Sequence, residues 1–294
     1  MQETGIGTMH GSAYKFFHIL TLRKTLLGNV MKKEIIFLGS GGGGENLARH
    51  LRGTGGFRIN GAARIQVDPG PGAVSEGKKH KQKPGSLDAI IVTHKHIDHK
   101  HDLPLLIDIA TWGKENAGFE LICSESICPS NAPPLIDEYY LGKVSKLTVA
   151  HPGDRIKIIG KKGWADLIAT PTQHQDGTCF GFVLQLADGM RIGYTSDTEY
   201  FDGIAKHYAK CNVLIVNTMK PDASGGLSGH LFSETAAKLL KEAKPLLAVL
   251  THFGVKMHIA NPEKEAEKIE KIGGVRTIAA YDGLVLDLMN LAVR

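Results

Sequence analysis

Between residues 93 and 99 the chain reads Thr93-His94-Lys95-His96-Ile97-Asp98-His99, placing three imidazoles and a carboxylate within six residues. A single histidine near a helix start is ordinarily solvated or capping. Four potential ligands in so short a stretch meet no structural demand, and imidazole with carboxylate is a metal-binding set. That set favours zinc, with manganese or iron open. His94 and His96 are two apart, so extended backbone turns them to one side. Asp98 and His99 follow as the chain turns and can face a second point nearby. The arrangement suits two metal ions side by side. Lys95 and Ile97 alternate with the ligands and are expected to point away, the lysine to solvent and the isoleucine to the core.

The elements around the cluster must present it at a strand end. Leu87–Val92 is a short apolar, β-branched run that reads as a buried strand. After the cluster, Asp102 is an expected N-cap, and Pro104 falls in the first turn of a helix over 103–112, where no N–H is needed. Three more candidates share this context. His174, Asp197 and His252 each follow, directly or shortly, a run that reads as a strand. A zinc ion with one open position takes three protein ligands. Two such ions sharing a carboxylate therefore need about seven side chains. The chain offers His94, His96, Asp98, His99, His174, Asp197 and His252.

The chain has 294 residues, 42% of them hydrophobic, enough to bury a large core. With 22% charged residues it is not a disordered composition. The net charge of +5 does not by itself imply nucleic acid. Four cysteines, Cys123, Cys128, Cys179 and Cys211, suggest free thiols in a reducing, cytoplasmic setting, with the C-x4-C pair buried or incidental. No apolar run is long enough to span a bilayer, so no membrane partner is expected. Residues 1–30 read as an N-terminal extension unlike the rest, with Met31 a candidate start and a transit peptide the rival reading. Residues 31–294 read as a single domain, two packed sheets between helical layers. Gly39–Gly44 lacks the spacing of a phosphate loop and reads as a flexible turn near the active face. Ser75–Gly85, with Lys78, Lys79, Lys81 and Lys83, reads as a solvated basic loop, the alternative being a phosphate-attracting arm. It has no interleaved aromatics for stacking on bases.

His-x-His-x-Asp-His, a downstream His, an Asp within Tyr194-Thr195-Ser196-Asp197-Thr198 and a final His after a strand together resemble the metallo-β-lactamase superfamily over roughly residues 31–290. The resemblance implies an α/β fold, a four-layer αββα sandwich with two divalent metals at one sheet edge. It implies His94, His96 and His174 on the first metal, Asp98, His99 and His252 on the second, and Asp197 between them. Asp68 stands where the family carries an Asp that braces the ligand loop, although an Asp before Pro69 also suits a plain turn. His96 stands where redox-active di-iron members carry Glu, which disfavours an oxidoreductase.

Gly229-His230-Leu231-Phe232-Ser233 is similar to the extra His motif of ribonuclease Z-like phosphodiesterases. Transfer-RNA-processing members often carry a long substrate arm between the positions of His174 and Asp197. Here residues 175–196 leave room for a hairpin only. The resemblance thus points to a binuclear metal-dependent hydrolase, a phosphodiesterase using a metal-bridging hydroxide, with Asp98 and His230 catalytic. His230 would protonate the leaving group or donate to a phosphoryl oxygen. The substrate would be a phosphodiester-containing small molecule or RNA, and a homodimer is compatible with the sequence. The alternatives are a thioester or lactone hydrolase of the same superfamily, an RNA-processing endonuclease, or a non-catalytic nucleic-acid-binding protein using the Lys78–Lys83 stretch. His101 and His258 are candidates for touching substrate.

Overall fold

The computed structural model describes residues 32–112, 118–224 and 229–294. The expected extension 1–30 lies outside the described residues. Two large sheets pack face to face. The first has the order β16(Ala292–Val293)-β15(Val285–Asp287)-β1(Glu34–Phe37)-β2(Phe57–Asn60)-β3(Ile65–Val67)-β4(Ala89–Val92)-β5(Glu120–Cys123)-β6(Lys146–Val149). The second runs β14(Thr277–Ala279)-β13(Leu247–Thr251)-β11(Val213–Lys220)-β10(Arg191–Tyr194)-β9(Phe180–Leu186)-β8(Gly163–Pro171)-β7(Arg155–Gly160), with β12(Leu231–Phe232) on β11.

The alternation of apolar side chains explains the layering. Ile35, Phe37, Ile59, Val67 and Ile91 of the first sheet meet Leu167, Phe182, Leu184, Ile215 and Val249 of the second in one buried cluster. Each such side chain contributes about 1.5–3 kcal/mol on full burial. The opposite faces are covered by helices. Ile90, Val92 and Leu121 pack against Leu103, Leu106 and Ile107, while Leu214, Val216 and Leu250 pack against Ala236, Leu240 and Ile269. This is the expected αββα sandwich. Strands buried on both faces read as continuous apolar runs, as Val213–Val216 and Leu247–Leu250 do.

Among the described residues the α-helices are α1(Gly44–Arg49), α2(Ala73–Lys79), α3(Ile97–Lys100), α4(Leu103–Thr111), α5(Glu138–Leu141), α6(Ile204–Tyr208), α7(Ser233–Ala243), α8(Val255–Ala260) and α9(Pro262–Gly273). Asn261 caps α9, its side chain accepting from the Lys264 N–H. Three local expectations differ. Ser75–Lys79 belongs to helix α2 and not to a loop. Asp102 precedes α4 but gives its carboxylate to the neighbouring helix, with Oδ2 accepting from the Gly72 and Val74 N–H groups at 3.1 and 3.2 Å. Ile97 is 47% exposed. It lies on the first turn of α3, whose buried side is taken by Asp98 and His99. Among the described residues no helix is long and apolar enough to cross a membrane.

Candidate metal centre

The turns after β4, β8, β10 and β13 converge, and each carries candidate ligands. β4 hands on to Thr93 and the fully buried His94. His96 keeps extended backbone just before α3, and Asp98 and His99 sit in its first turn. His174 follows β8, Asp197 follows β10, and His252 follows β13. Backbone with positive φ at Ser196 and His252 turns the chain sharply at these last two sites.

The ligand atoms form three overlapping groups, His94/His96/His174/Asp197, Asp98/His99/His252 and Asp197/His230/His252. Asp197 lies at the centre. Its Oδ2 is 3.3 Å from His252 Nε2, 3.4 Å from His99 Nε2, 3.6 Å from His94 Nε2, 3.7 Å from His230 Nδ1 and 3.9 Å from His174 Nε2. Asp98 Oδ2 is 3.2 Å from His252 Nε2 and 3.6 Å from His99 Nε2. All seven expected ligands and His230 are thus brought together. His101 instead is exposed and bonds Asp102, and the exposed His258 accepts from Arg52.

The outer hydrogen bonds fix how several rings face inward. His174 Nδ1 is 2.9 Å from the Gly229 carbonyl, which can only accept, so Nδ1 carries the proton and Nε2 offers a lone pair. His99 Nδ1 is 3.0 Å from Asp68 Oδ2 and donates to it, leaving Nε2 to face His252 Nε2 at 3.0 Å. His174 Nε2 and His94 Nε2 each lie 3.1 Å from His96 Nδ1. Electron-rich ring nitrogens and two carboxylates converge on one concavity. A cation satisfies them, so the donor set fits divalent metal.

Burial and charge act in opposition here. Burial alone raises the Asp197 carboxyl, but His252, His99 and His230 outweigh it and hold the group well below the carboxylate range. Burial opposes ionisation of Asp98 too, and His99 and His252 lower it strongly. Burial would lower His99, yet Asp197, Asp98 and Asp68 drive it well above its ordinary value. Burial pushes His230 down to about 4, against the pull of Asp197, with His252, His174 and His99 adding to the fall.

One supporting residue, Asp68, is expected from the sequence, and others escape sequence reasoning. Asp68 does brace the ligand loop: Oδ1 accepts from Thr93 N–H at 2.8 Å, and Oδ2 from Thr93 Oγ1 and Tyr194 OH, both at 2.9 Å. Asn217 Nδ2 donates to Asp197 Oδ1 at 2.7 Å. Its signal is an Asn closing the apolar run Val213–Val216. Asp176 accepts from the Lys95 N–H at 3.1 Å and from Ser126 Oγ at 2.5 Å, tying the ligand loop to the turn after β5. The glycine loop is no loose turn. Gly43 N–H donates to Asp98 Oδ2 at 2.6 Å, and a parallel bridge joins Gly41 to Phe253.

Residues 63–253 match the model of the beta-lactamase superfamily domain. The chain belongs to this family. It is 34% identical to the uncharacterized protein MJ1374 of Methanocaldococcus jannaschii, over 88% of this chain and 97% of that one. Among solved structures, the metallo-beta-lactamase fold protein YhfI from Bacillus subtilis is similar, with a TM-score of 0.69 and 20% identity, covering 87% of this chain and 98% of that one. A new diphosphatase from the PhnP family aligns with a TM-score of 0.64 and 17% identity, over 87% and 98% of the two chains. The short form of human tRNase Z aligns at 0.61 and 18%, over 87% and 99%. At these identities the structural matches speak to the fold.

Proposed function

We propose that the chain is a metal-dependent hydrolase of the beta-lactamase superfamily, and within that class a binuclear phosphodiesterase acting on a small substrate. The observation that carries this reading is the position of Asp197 Oδ2 within 3.9 Å of five imidazole nitrogens, shared between two donor groups. In this reading His94, His96 and His174 hold one divalent ion, Asp98, His99 and His252 hold a second, and Asp197 serves both. Zinc suits these ligands, with manganese or iron also compatible. Bound divalent ions supply an acidified water near neutral pH and neutralise charge on phosphoryl oxygens.

The chain's own residues supply the rest. Gly43 N–H fixes the carboxylate of Asp98 toward the centre. His230 is the one imidazole of the cluster beyond the seven proposed ligands, with its side chain 10% exposed. With its pKa held near 4 it is neutral near pH 7, so its N–H is placed to donate to a phosphoryl oxygen, and it protonates a leaving oxygen only where bound anionic substrate raises it. A cavity of about 130 Å³ adjoins the centre, lined by Gly42–Asn46, Met219, Lys220 and Lys256 among others. Its two lysines outnumber its one acid, Glu45, and suit an anionic substrate, and its size suits a small one. Residues 175–196 hold the β9–β10 hairpin alone, without length for an RNA-gripping arm between His174 and Asp197. The diphosphatase and the tRNase Z named above share this fold, and their names carry phosphate and RNA chemistry.

Turnover of a generic phosphodiester, a thioester and a lactone, each with and without chelator, tests this reading. Chelator-sensitive cleavage of the phosphodiester above the other two is expected. Preferential thioester or lactone cleavage would overturn the phosphodiesterase reading, and activity indifferent to chelator would overturn the metal reading.

A further inference from the structure

A second cavity, larger than the one beside the metal centre, lies on the helical side of the first sheet. Its volume is about 370 Å³. That falls at the lower end of the roughly 300–1,000 Å³ typical of small-molecule sites. It shares none of its lining residues with the donor cluster. Its apolar lining comes from Leu38, Ala73, Val74, Leu106 and Ile109, that is, from α2, α4 and the end of β1. Its charged lining is of one sign: Arg58, Lys78, Lys81 and Lys83, with no acidic side chain.

Arg58 is the informative member. It is 2% exposed, and no carboxylate of the described residues lies within ion-pair distance of it. Its Nη2 donates to Ser86 Oγ at 2.9 Å, while its Nε is buried with no hydrogen-bond partner. Burial, with Arg64 adding and Asp88 pulling the other way, lowers the guanidinium to about 10, so it remains a cation at neutral pH. A buried, unpaired cation is costly unless something compensates it. Asp88 compensates it in part from beyond ion-pair distance, while three lysines at the same cavity add to the positive field and leave room for an anion there.

We propose that this cavity is a binding site for a small amphipathic anion, its apolar body held against Leu38, Val74, Leu106 and Ile109 and its anionic head beside Arg58 and the Lys78–Lys83 lysines. The basic stretch of the sequence thereby gains a role separate from the metal centre and from nucleic acid.

Gly77 offers a test that leaves charge unchanged. It lines the cavity within α2, and a Cβ there would meet Gln82 Cβ and Leu38 Cδ1 at 3.9 Å, ordinary contact distance. Gly77→Leu therefore fills the space. Calorimetric titration of the full chain with octanoate and with octyl phosphate reads binding, and the two arms rank carboxylate against phosphate heads. Octanol and inorganic phosphate test tail and head alone. Saturable 1:1 binding of one or both amphiphiles is expected, at least about tenfold tighter than octanol or phosphate, a difference of about 1.4 kcal/mol. Gly77→Leu should weaken it about tenfold or more, and so should the surface triple variant Lys78→Ala/Lys81→Ala/Lys83→Ala, which disturbs no core packing. Circular dichroism checks that both stay folded. The proposal is overturned by an absence of saturable binding, by octanol binding as tightly as octanoate, or by full affinity in both folded variants.

Discussion

Asn217 Nδ2 donates to Oδ1 of Asp197 across 2.7 Å, and this turns the other carboxylate oxygen toward the imidazoles. One oxygen is spent on the scaffold and the other faces both donor groups. Asn217 lies on β11 and Asp197 just after β10, so the parallel pairing of those two strands sets the geometry. Under the binuclear reading, elemental analysis of reconstituted protein gives two metals per chain. Asp197→Ala loses both together, whereas His252→Ala mainly weakens one. Asn217→Ala keeps every ligand but frees the carboxylate, and its metal affinity falls about 10–100-fold, the usual effect of losing an outer partner. Near-zero metal after zinc or manganese reconstitution of the unaltered chain would sink the idea.

His230 stands 3.7 Å from Asp197 Oδ2 and outside the seven proposed ligands. His230→Ala should therefore keep both metals and lower turnover of an alkyl phosphodiester by ~10²–10⁴, the usual range for a lost acid–base group. The loss should shrink with a nitrophenolate leaving group, which needs little protonation. Equal losses for both substrates assign the residue to hydrogen bonding at a phosphoryl oxygen. Unchanged turnover for both leaves it a packing residue.

The donor cluster was legible because ligand types recur after apolar runs, and strand ends collect distant residues at one place. His94, His174, Asp197 and His252 all follow strands as read. What the sequence hid was contact across distance. Asp176 and Asn217 are single polar residues whose meaning depends on Lys95 and Asp197, 81 and 20 positions away. Helix α2 was illegible for a different reason. Only Ala73 and Gly77 of its seven residues are buried, so it lacks an apolar stripe of helical period. Ile97 misled because alternation holds for a strand, and the chain is already helical there.

Asp176 is a positioning residue. Its carboxylate accepts from the Lys95 N–H and Ser126 Oγ through Oδ2, and from the Thr178 N–H and Oγ1 through Oδ1. Asp176→Ala leaves four partly buried donors without their charged acceptor and should cost about 1–3 kcal/mol of stability. Because Lys95 lies between His94 and His96, the variant should also loosen metal at that group. Asp176→Asn keeps the shape and part of the bonding, so it should recover part of both losses. Thermal melts and metal titrations check this. A stability loss with unchanged metal affinity would make the residue merely structural.

Gly42 has no room for a side chain. A Cβ there would lie 2.3 Å from His252 Cδ2 and Nε2 and 2.4 Å from Cε1. The imidazole cannot yield freely, since Nε2 faces Asp98, Asp197 and His99. The glycine cannot yield either, because Gly42 N–H donates to the Phe253 carbonyl and Phe253 N–H to the Ser40 carbonyl. Gly42→Ala should therefore displace the His252 ring at a cost of about 1–3 kcal/mol, the usual range for overpacking. It should lower metal affinity at the Asp98/His99/His252 group while sparing the His94/His96/His174 group. Gly44 is the matched control: a Cβ there meets nothing within 4 Å, and its residue opens helix α1. Gly44→Ala should leave stability and metal content unchanged or slightly improved, since alanine favours a helix over glycine. Metal titration of the two variants in parallel decides the matter. Equal affinities would show that His252 is not held in place by the glycine loop.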